Sequence, residues 1–75
     1  VVSLTKKEYD LLILLIQNKN VALYREIIYE RLWNDEYDKD TRTVDLHIQR
    51  IRKKLNLEKE IETIFKIGYR FTERI

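Results

Sequence analysis

The amino-acid sequence predicts an α+β fold in which three helices precede a C-terminal β-hairpin. Residues 4–18, 24–33 and 41–55 repeat their apolar side chains with the period of a helix. Residues 61–72 are instead rich in isoleucine, threonine and aromatic side chains, which favour strands, and include the only glycine of the sequence. We therefore expect one small domain in which the helices and the hairpin share a single core.

Length and composition limit the classes of function. The 75 residues, 44% of them apolar, with a net charge of +2, indicate one folded domain. With no cysteine and one histidine, thiolate sites are excluded, and neither a metal site nor a cofactor is expected. The sequence has no apolar run near the ~20 residues of a membrane span, so a cytoplasmic protein without a membrane partner is expected.

The first helix is expected to begin at a capping box and to be the most buried. Thr5 and Glu8 have the spacing at which each side chain accepts a hydrogen bond from the backbone N–H of the other. Helical spacing predicts a core-facing stripe that neighbouring leucines widen, formed by Tyr9, Leu12, Ile13 and Ile16.

The second helix, over residues 24–33, is predicted from the common face of Ile27, Ile28 and Leu32. Its start is poorly marked. Residues 21–23 are therefore either its beginning or a short extended segment.

An acidic loop is predicted to follow the second helix. Residues 34–41 contain four carboxylates and one lysine, hence a local charge of −3. Either Asp40 or Thr41 is expected to cap the third helix. Trp33, which precedes the loop, is expected to pack in the core.

The third helix, over residues 41–55, sorts its side chains into an apolar stripe, an opposite face and two flanks. At about 100° per residue, the expected core stripe consists of Val44, Ile48, Ile51 and Leu55. The opposite side, here called the outer face, contains no anion and consists of Arg42, Leu46, Gln49, Arg50 and Lys53. One flank holds His47 and Lys54, and the other holds Asp45 and Arg52.

The outer face has two interpretations. Surface helices are often charged, but they usually mix both signs, whereas this helix has five cations and one anion. Arginine pairs with guanine, glutamine with adenine, and an outward leucine such as Leu46 can contact a thymine methyl group. The face therefore favours double-stranded DNA over simple solvation. Positions suited to phosphates are Thr43, His47, Lys53 and Lys54.

Three helices followed by a hairpin is the order of a winged helix-turn-helix. In that fold the hairpin, or wing, lies beside the recognition helix and can reach the adjacent minor groove. Lys66 and Arg70 place charge on the predicted wing. For Lys66, protection of an exposed sheet edge is the alternative reading.

Four segments resemble the C-terminal effector domains of OmpR/PhoB-type response regulators: LTKKEYDLLILL, REIIYERLW, RTVDLHIQRIRKKL and IFKIGYRF. They cover nearly the whole sequence in the family's order. The resemblance implies transcriptional regulation by a winged helix that binds direct-repeat promoter DNA as a head-to-tail pair. It also implies a receiver domain, a sensor kinase and a loop that meets RNA polymerase.

The resemblance also implies roles for individual residues. Base contacts are expected from Leu46, Gln49 and Arg50. Backbone contacts are expected from Arg42, Thr43, His47 and Arg52, to which the helical geometry adds Lys53 and Lys54. The expected wing residues are Lys66, Gly68, Tyr69 and Arg70. The expected polymerase-facing residues are Asp35, Glu36 and Asp38.

The sequence departs from the family's pattern in two places. Many members have an arginine and a glycine in the wing, where this sequence has Phe65 and Lys66, which leaves both backbone contact and minor-groove entry open. Only VVSL corresponds to the family's N-terminal sheet. Residues 1–75 are therefore expected to be an effector domain lacking the receiver and most of that sheet.

Two other functions were weighed against DNA binding. An enzyme is not expected, because no nucleophile, base and orienting group converge in the sequence. A winged helix whose basic face binds an acidic protein is the stronger alternative.

Overall fold

The computed structural model describes residues 2–38 and 40–73. Its elements, in chain order, are α1 (Lys6–Gln17), β1 (Leu23–Tyr24), α2 (Arg25–Trp33), α3 (Thr43–Leu55), β2 (Ile61–Ile64) and β3 (Gly68–Phe71). The strands form one antiparallel sheet in the order β1-β3-β2. The predicted α+β winged helix-turn-helix is confirmed, and the extended alternative for the segment before α2 is correct. Within the described ranges, none of the helices combines the length and apolar content needed to cross a membrane.

α1 begins at the predicted capping box. Thr5 Oγ1 accepts a hydrogen bond from the Glu8 N–H at 3.2 Å, and the Thr5 N–H donates to Glu8 Oε1 at 2.9 Å. α1 is also the helix with the most buried residues, four against three in α3 and one in α2.

The predicted core stripe of α1 is wrong at two positions, whereas Leu12 packs against the core as expected. Leu11, Leu14 and Leu15 are buried, whereas Tyr9 and Ile16 are 54% and 41% exposed. Because apolar residues surround much of this helix, spacing alone could not select the face, and packing against α3 and the sheet selects it.

α2 differs from its prediction at one core position. Ile28 is buried, but Ile27 is 43% exposed, because only one side of this short helix meets its neighbours. Leu32 and Trp33 are partly buried and pack against the core, as expected for the tryptophan. The helix is followed by its C-cap Asn34, which has a left-handed φ of 53°.

α3 has the predicted apolar stripe but a different start. Val44, Ile48 and Ile51 are buried, and Leu55 packs against them. The N-cap is Arg42, without a side-chain capping bond, so the prediction of Asp40 or Thr41 as the cap is wrong. Thr41 lies one residue before the cap, and its Oγ1 accepts a hydrogen bond from the Thr43 N–H at 3.3 Å.

Gly68, a predicted wing residue, is the first residue of β3. A Cβ atom at Gly68 would lie 2.1 Å from Leu23 O and 2.9 Å from Arg25 N. Glycine is therefore needed for the close approach of β1 to β3. The tip is the three-residue loop 65–67, in which Lys66 has a φ of 62° and the Ile67 N–H donates to Ile64 O at 3.0 Å.

Candidate nucleic-acid interface

The outer face of α3 is exposed, as predicted. Leu46 is 46% exposed, and Gln49, Arg50 and Lys53 are also exposed. They line an open groove of about 400 Å³, here called the α3 groove, together with Arg52 and Glu58. Across residues 2–38 and 40–73, the side-chain polar groups of Gln49, Arg50 and Lys53 make no hydrogen bond or ion pair. Their donors are therefore available to an external ligand.

The cation on one flank of α3 is committed to the hairpin. Arg52 Nε donates to Ile61 O at 3.0 Å, and Arg52 Nη2 donates to Thr63 Oγ1 at 2.9 Å. The guanidinium also lies 5.5 Å from the centroid of the Tyr69 ring. Arg52 was expected to contact the DNA backbone. In the structure its guanidinium joins α3 to β2.

The cation on the other flank is committed to α1. Lys54 Nζ donates to Glu8 Oε1 at 2.6 Å and to Ser3 O at 3.1 Å. Glu8 is only 1% exposed. The sequence suggested Lys54 as a phosphate contact, and in the structure its ammonium neutralises a buried carboxylate.

Glu8 remains an acid of low pKa despite its burial. Burial acts to raise the pKa of Glu8, but hydrogen bonds from Lys54 and Thr5 and the charges of Lys54 and His47 outweigh it. The net pKa lies below the ordinary value of 4.5. The ion pair therefore persists at neutral pH and holds α1 against α3.

A second charged cluster, which the sequence analysis missed, joins α2, α3 and β3. Asp45 Oδ1 accepts hydrogen bonds from Arg25 Nε at 2.8 Å and from the Tyr69 hydroxyl. The Arg25 guanidinium lies 5.0 Å from the centroid of the Tyr69 ring. No local spacing signalled this cluster, because Asp45 is 20 residues from Arg25 and 24 from Tyr69.

Each member of this cluster has a shifted pKa. Burial acts to raise the pKa of Asp45, but the bonds from Tyr69 and Arg25 outweigh it and lower the net pKa. Burial and the bond to Asp45 raise the pKa of Tyr69. The bond to Asp45 raises the pKa of Arg25 against the opposing effect of burial. Asp45 is therefore ionised and Tyr69 neutral at pH 7.

Two predicted wing residues have partners within the domain. Tyr69, in β3 of the wing hairpin, is 4% exposed and belongs to the core. Arg70 Nη2 lies 3.4 Å from Glu62 Oε1 on the neighbouring strand. Of the predicted set, Lys66 remains exposed at the tip.

An aromatic cluster supports the acidic loop and His47. Trp33 stacks on Tyr29 with 5.4 Å between ring centroids, and Tyr37 meets Tyr29 edge-on at 5.7 Å. His47 meets Trp33 edge-on at 4.9 Å, and its Nδ1 lies 2.8 Å from Thr43 O. The three predicted loop carboxylates, Asp35, Glu36 and Asp38, are exposed. Lys39 in the same loop lies outside the described residues.

Residues 1–71 match the family described as "Transcriptional regulatory protein, C terminal". The chain belongs to this family. Regulatory protein VanRB of Enterococcus faecalis is 46% identical to it over 72 residues, which are 96% of this chain and 32% of the relative. The chain therefore spans about a third of the length of the curated relatives that it matches, at 31–32% of each.

Solved structures have the same fold. The DNA-binding domain of Klebsiella pneumoniae RstA, in complex with RstA box, is 32% identical with a TM-score of 0.85, covering 95% of this chain and 74% of that one. The Thermotoga maritima response regulator DrrB, an OmpR/PhoB homologue, is 37% identical with a TM-score of 0.81, and the match covers 96% of this chain and 34% of that one. The resemblance to OmpR/PhoB-type domains is confirmed. As a member of this family, the chain is a DNA-binding output domain in transcriptional regulation.

Proposed function

We propose that this domain binds double-stranded promoter DNA in a sequence-specific manner, with α3 in the major groove. The observation that carries the proposal is on the outer face of α3, where the side chains of Gln49, Arg50 and Lys53 have no partner among the described residues and line one open groove together with Leu46. A major groove about 12 Å wide admits a helix and exposes a distinct pattern of donors and acceptors for each base pair.

Base contacts are assigned to Leu46, Gln49 and Arg50. All three line the α3 groove. Arg50 suits a bidentate bond to guanine, Gln49 a bidentate bond to adenine, and Leu46 the methyl group of thymine.

Phosphate contacts are assigned to a narrower set than the sequence suggested. Arg42 and Lys53 are exposed cations, and Thr43 lies at the start of the helix. In His47 the Nδ1–H donates to Thr43 O, so Nε2 donates to a phosphate oxygen only in the cationic ring, which has a proton on both nitrogens. Arg52 and Lys54 are assigned to positioning α3, because Arg52 Nε and Nη2 and two of the three Lys54 ammonium protons already have partners in the protein. On the wing, Lys66 is the cation placed to meet the backbone.

In the intact protein, residues 1–75 form the effector domain, preceded by the rest of an N-terminal sheet and by a receiver domain that a sensor kinase phosphorylates. The greater length of the relatives supports this arrangement. The domain binds as a tandem pair in the cytoplasm, where its DNA lies. The exposed carboxylates Asp35, Glu36 and Asp38 offer a separate surface for RNA polymerase.

Selection of bound sites from a random DNA pool tests the proposal. We expect a pair of direct repeats about one helical turn apart, together with weaker binding to random duplex that falls steeply as salt rises. A protein-binding winged helix is the competing function, because the same cations could meet an acidic partner. Absence of measurable DNA binding at low salt would overturn the proposal and leave the protein-binding winged helix as the function to test.

A further inference from the structure

We infer that Phe65 is an apolar wedge by which the wing partly opens a flexible base step in the minor groove beside the α3 site. This inference rests on the proposed function. It concerns the one position at the wing tip where a side chain without hydrogen-bonding groups replaces the expected arginine.

The exposure of Phe65 is the first observation. Its side chain is 82% exposed, whereas no other exposed large apolar residue in the described part of the chain exceeds 54%. The one ring contact that it makes there is with Lys66, whose ammonium lies 5.5 Å from the ring centroid. A phenylalanine ring left in water gives the fold no burial, so a structural role does not account for it.

The wing is held firmly beside the outer face of α3. Asp45 bonds Tyr69 on β3, and Arg52 bonds Thr63 on β2. Asp45 and Arg52 are seven residues apart in α3, nearly two helical turns, so they lie on the same flank. Thr63 and Tyr69 are paired across the hairpin, so this row packs against the flank, next to the face proposed to enter the major groove.

The tip lies just beyond the part of the hairpin that the domain holds. Ile64 pairs with Gly68, which also pairs with Tyr24. The Arg25 N–H donates to Ile67 O at 3.1 Å, so both strands are held up to the turn. Phe65 directly follows Ile64, and its ring is therefore exposed at the end of a supported hairpin.

The chemistry of the tip favours opening a step over reading base edges. A phenyl ring has no donor or acceptor, but apolar side chains can enter between base steps and bend the duplex towards the major groove. TA and CA steps unstack most easily. Lys66, in its left-handed conformation, is next to the ring and supplies a cation for the flanking phosphate.

The test uses duplexes selected from the random pool, in which each step flanking the repeats is changed between TA and the stiffer AA. 2-Aminopurine beside the varied step reports unstacking by its fluorescence. With the unmodified domain we expect about tenfold tighter binding to TA than to AA at one flanking step, together with increased fluorescence there.

Phe65→Ala should abolish both the step preference and the fluorescence change, while leaving the repeat sequence and the salt dependence as they were. Phe65→Arg should instead steepen the salt dependence, with a slope larger by about 0.9, and move the preference to narrow A-tracts. Tyr9→Ala removes an exposed aromatic side chain from α1 and should leave every readout unchanged.

Unaltered step preference and fluorescence in Phe65→Ala, with intact binding to the repeats, would overturn the wedge and leave the proposed function standing. Failure of the unmodified domain to bind any duplex would overturn both. Circular dichroism of each variant, expected to match the unmodified domain because Phe65 is exposed, separates these outcomes from misfolding.

Discussion

The outer face and the flanks of α3 carry similar cations with different surroundings. On the flanks, Lys54 pairs with Glu8, and Arg52 donates to one backbone oxygen and one side-chain oxygen of β2. On the outer face, Arg50 and Lys53 have no partner in the described part of the chain, although each is within two residues of an anchored cation. A cation that faces a neighbouring element stabilises the fold, and a cation that faces solvent is available for DNA. Position relative to the core, rather than charge, decides between the two roles.

The largest expected effect comes from breaking the anchor at Lys54. Lys54→Ala would leave the buried Glu8 carboxylate without its cation, and we expect the free energy of unfolding to fall by about 2–3 kcal/mol. That is below the cost of a fully isolated charge, because Lys54 is 33% exposed and water can replace it in part. Urea unfolding measures the change.

Lys53→Ala is the matched control, since it removes a neighbouring but exposed lysine. Its stability should remain within about 0.5 kcal/mol of the unmodified domain. Equal losses in the two variants would contradict the division between flank and outer face.

A smaller effect is expected from Arg50→Ala, and it should appear in binding rather than in stability. Loss of a bidentate base contact should reduce discrimination at one base pair by about 1–3 kcal/mol. Competition binding to duplexes substituted at each position measures it. Arg52→Ala, two residues away, should lower stability and leave the base preference unchanged. Lost base discrimination in Arg52→Ala and lost stability in Arg50→Ala would mean that the roles of the two arginines are the reverse of those assigned.

Acid should weaken the anchors before it affects the outer face. The folded-state pKa of Glu8 lies below its ordinary value of 4.5, and that of Asp45 lies below 3.8. The stability from these carboxylates is therefore present above the ordinary values and is lost as pH falls through the lowered ones. Urea midpoints between about pH 6 and pH 3 should decline less in Glu8→Gln than in the unmodified domain. Glu58→Gln, at an exposed position, controls for removal of a carboxylate, and an identical decline in all three proteins would argue against the Glu8 anchor.

The smallest effect is expected for Lys53→Ala in DNA binding. Loss of one phosphate contact should weaken selected and random duplexes alike and reduce the salt slope by about 0.9. Binding measured over a series of salt concentrations gives this slope. A change confined to the selected duplex would mean that Lys53 contacts a base.

Local patterns predicted much of the fold. The capping box at Thr5 and Glu8 and the apolar stripe of α3 involve residues within one or two helical turns, so their geometry follows from helical spacing. The face of α1 did not follow from spacing, because its apolar residues are too numerous to define a single side. The reason for Gly68 did not follow from the sequence either, because a turn and a close strand approach both require glycine and one sequence position does not distinguish them.

The sequence by itself determined the order of elements, the family resemblance and the exposed set Leu46, Gln49 and Arg50. These features depend on local periodicity and on a continuous motif. Only the tertiary structure decided that Lys54 belongs to Glu8, that Arg52 belongs to the hairpin, and that Asp45 joins Arg25 and Tyr69. The physical reason is that a charged group is recognisable in any sequence, whereas its partner is fixed by folding elements that lie far apart along the chain.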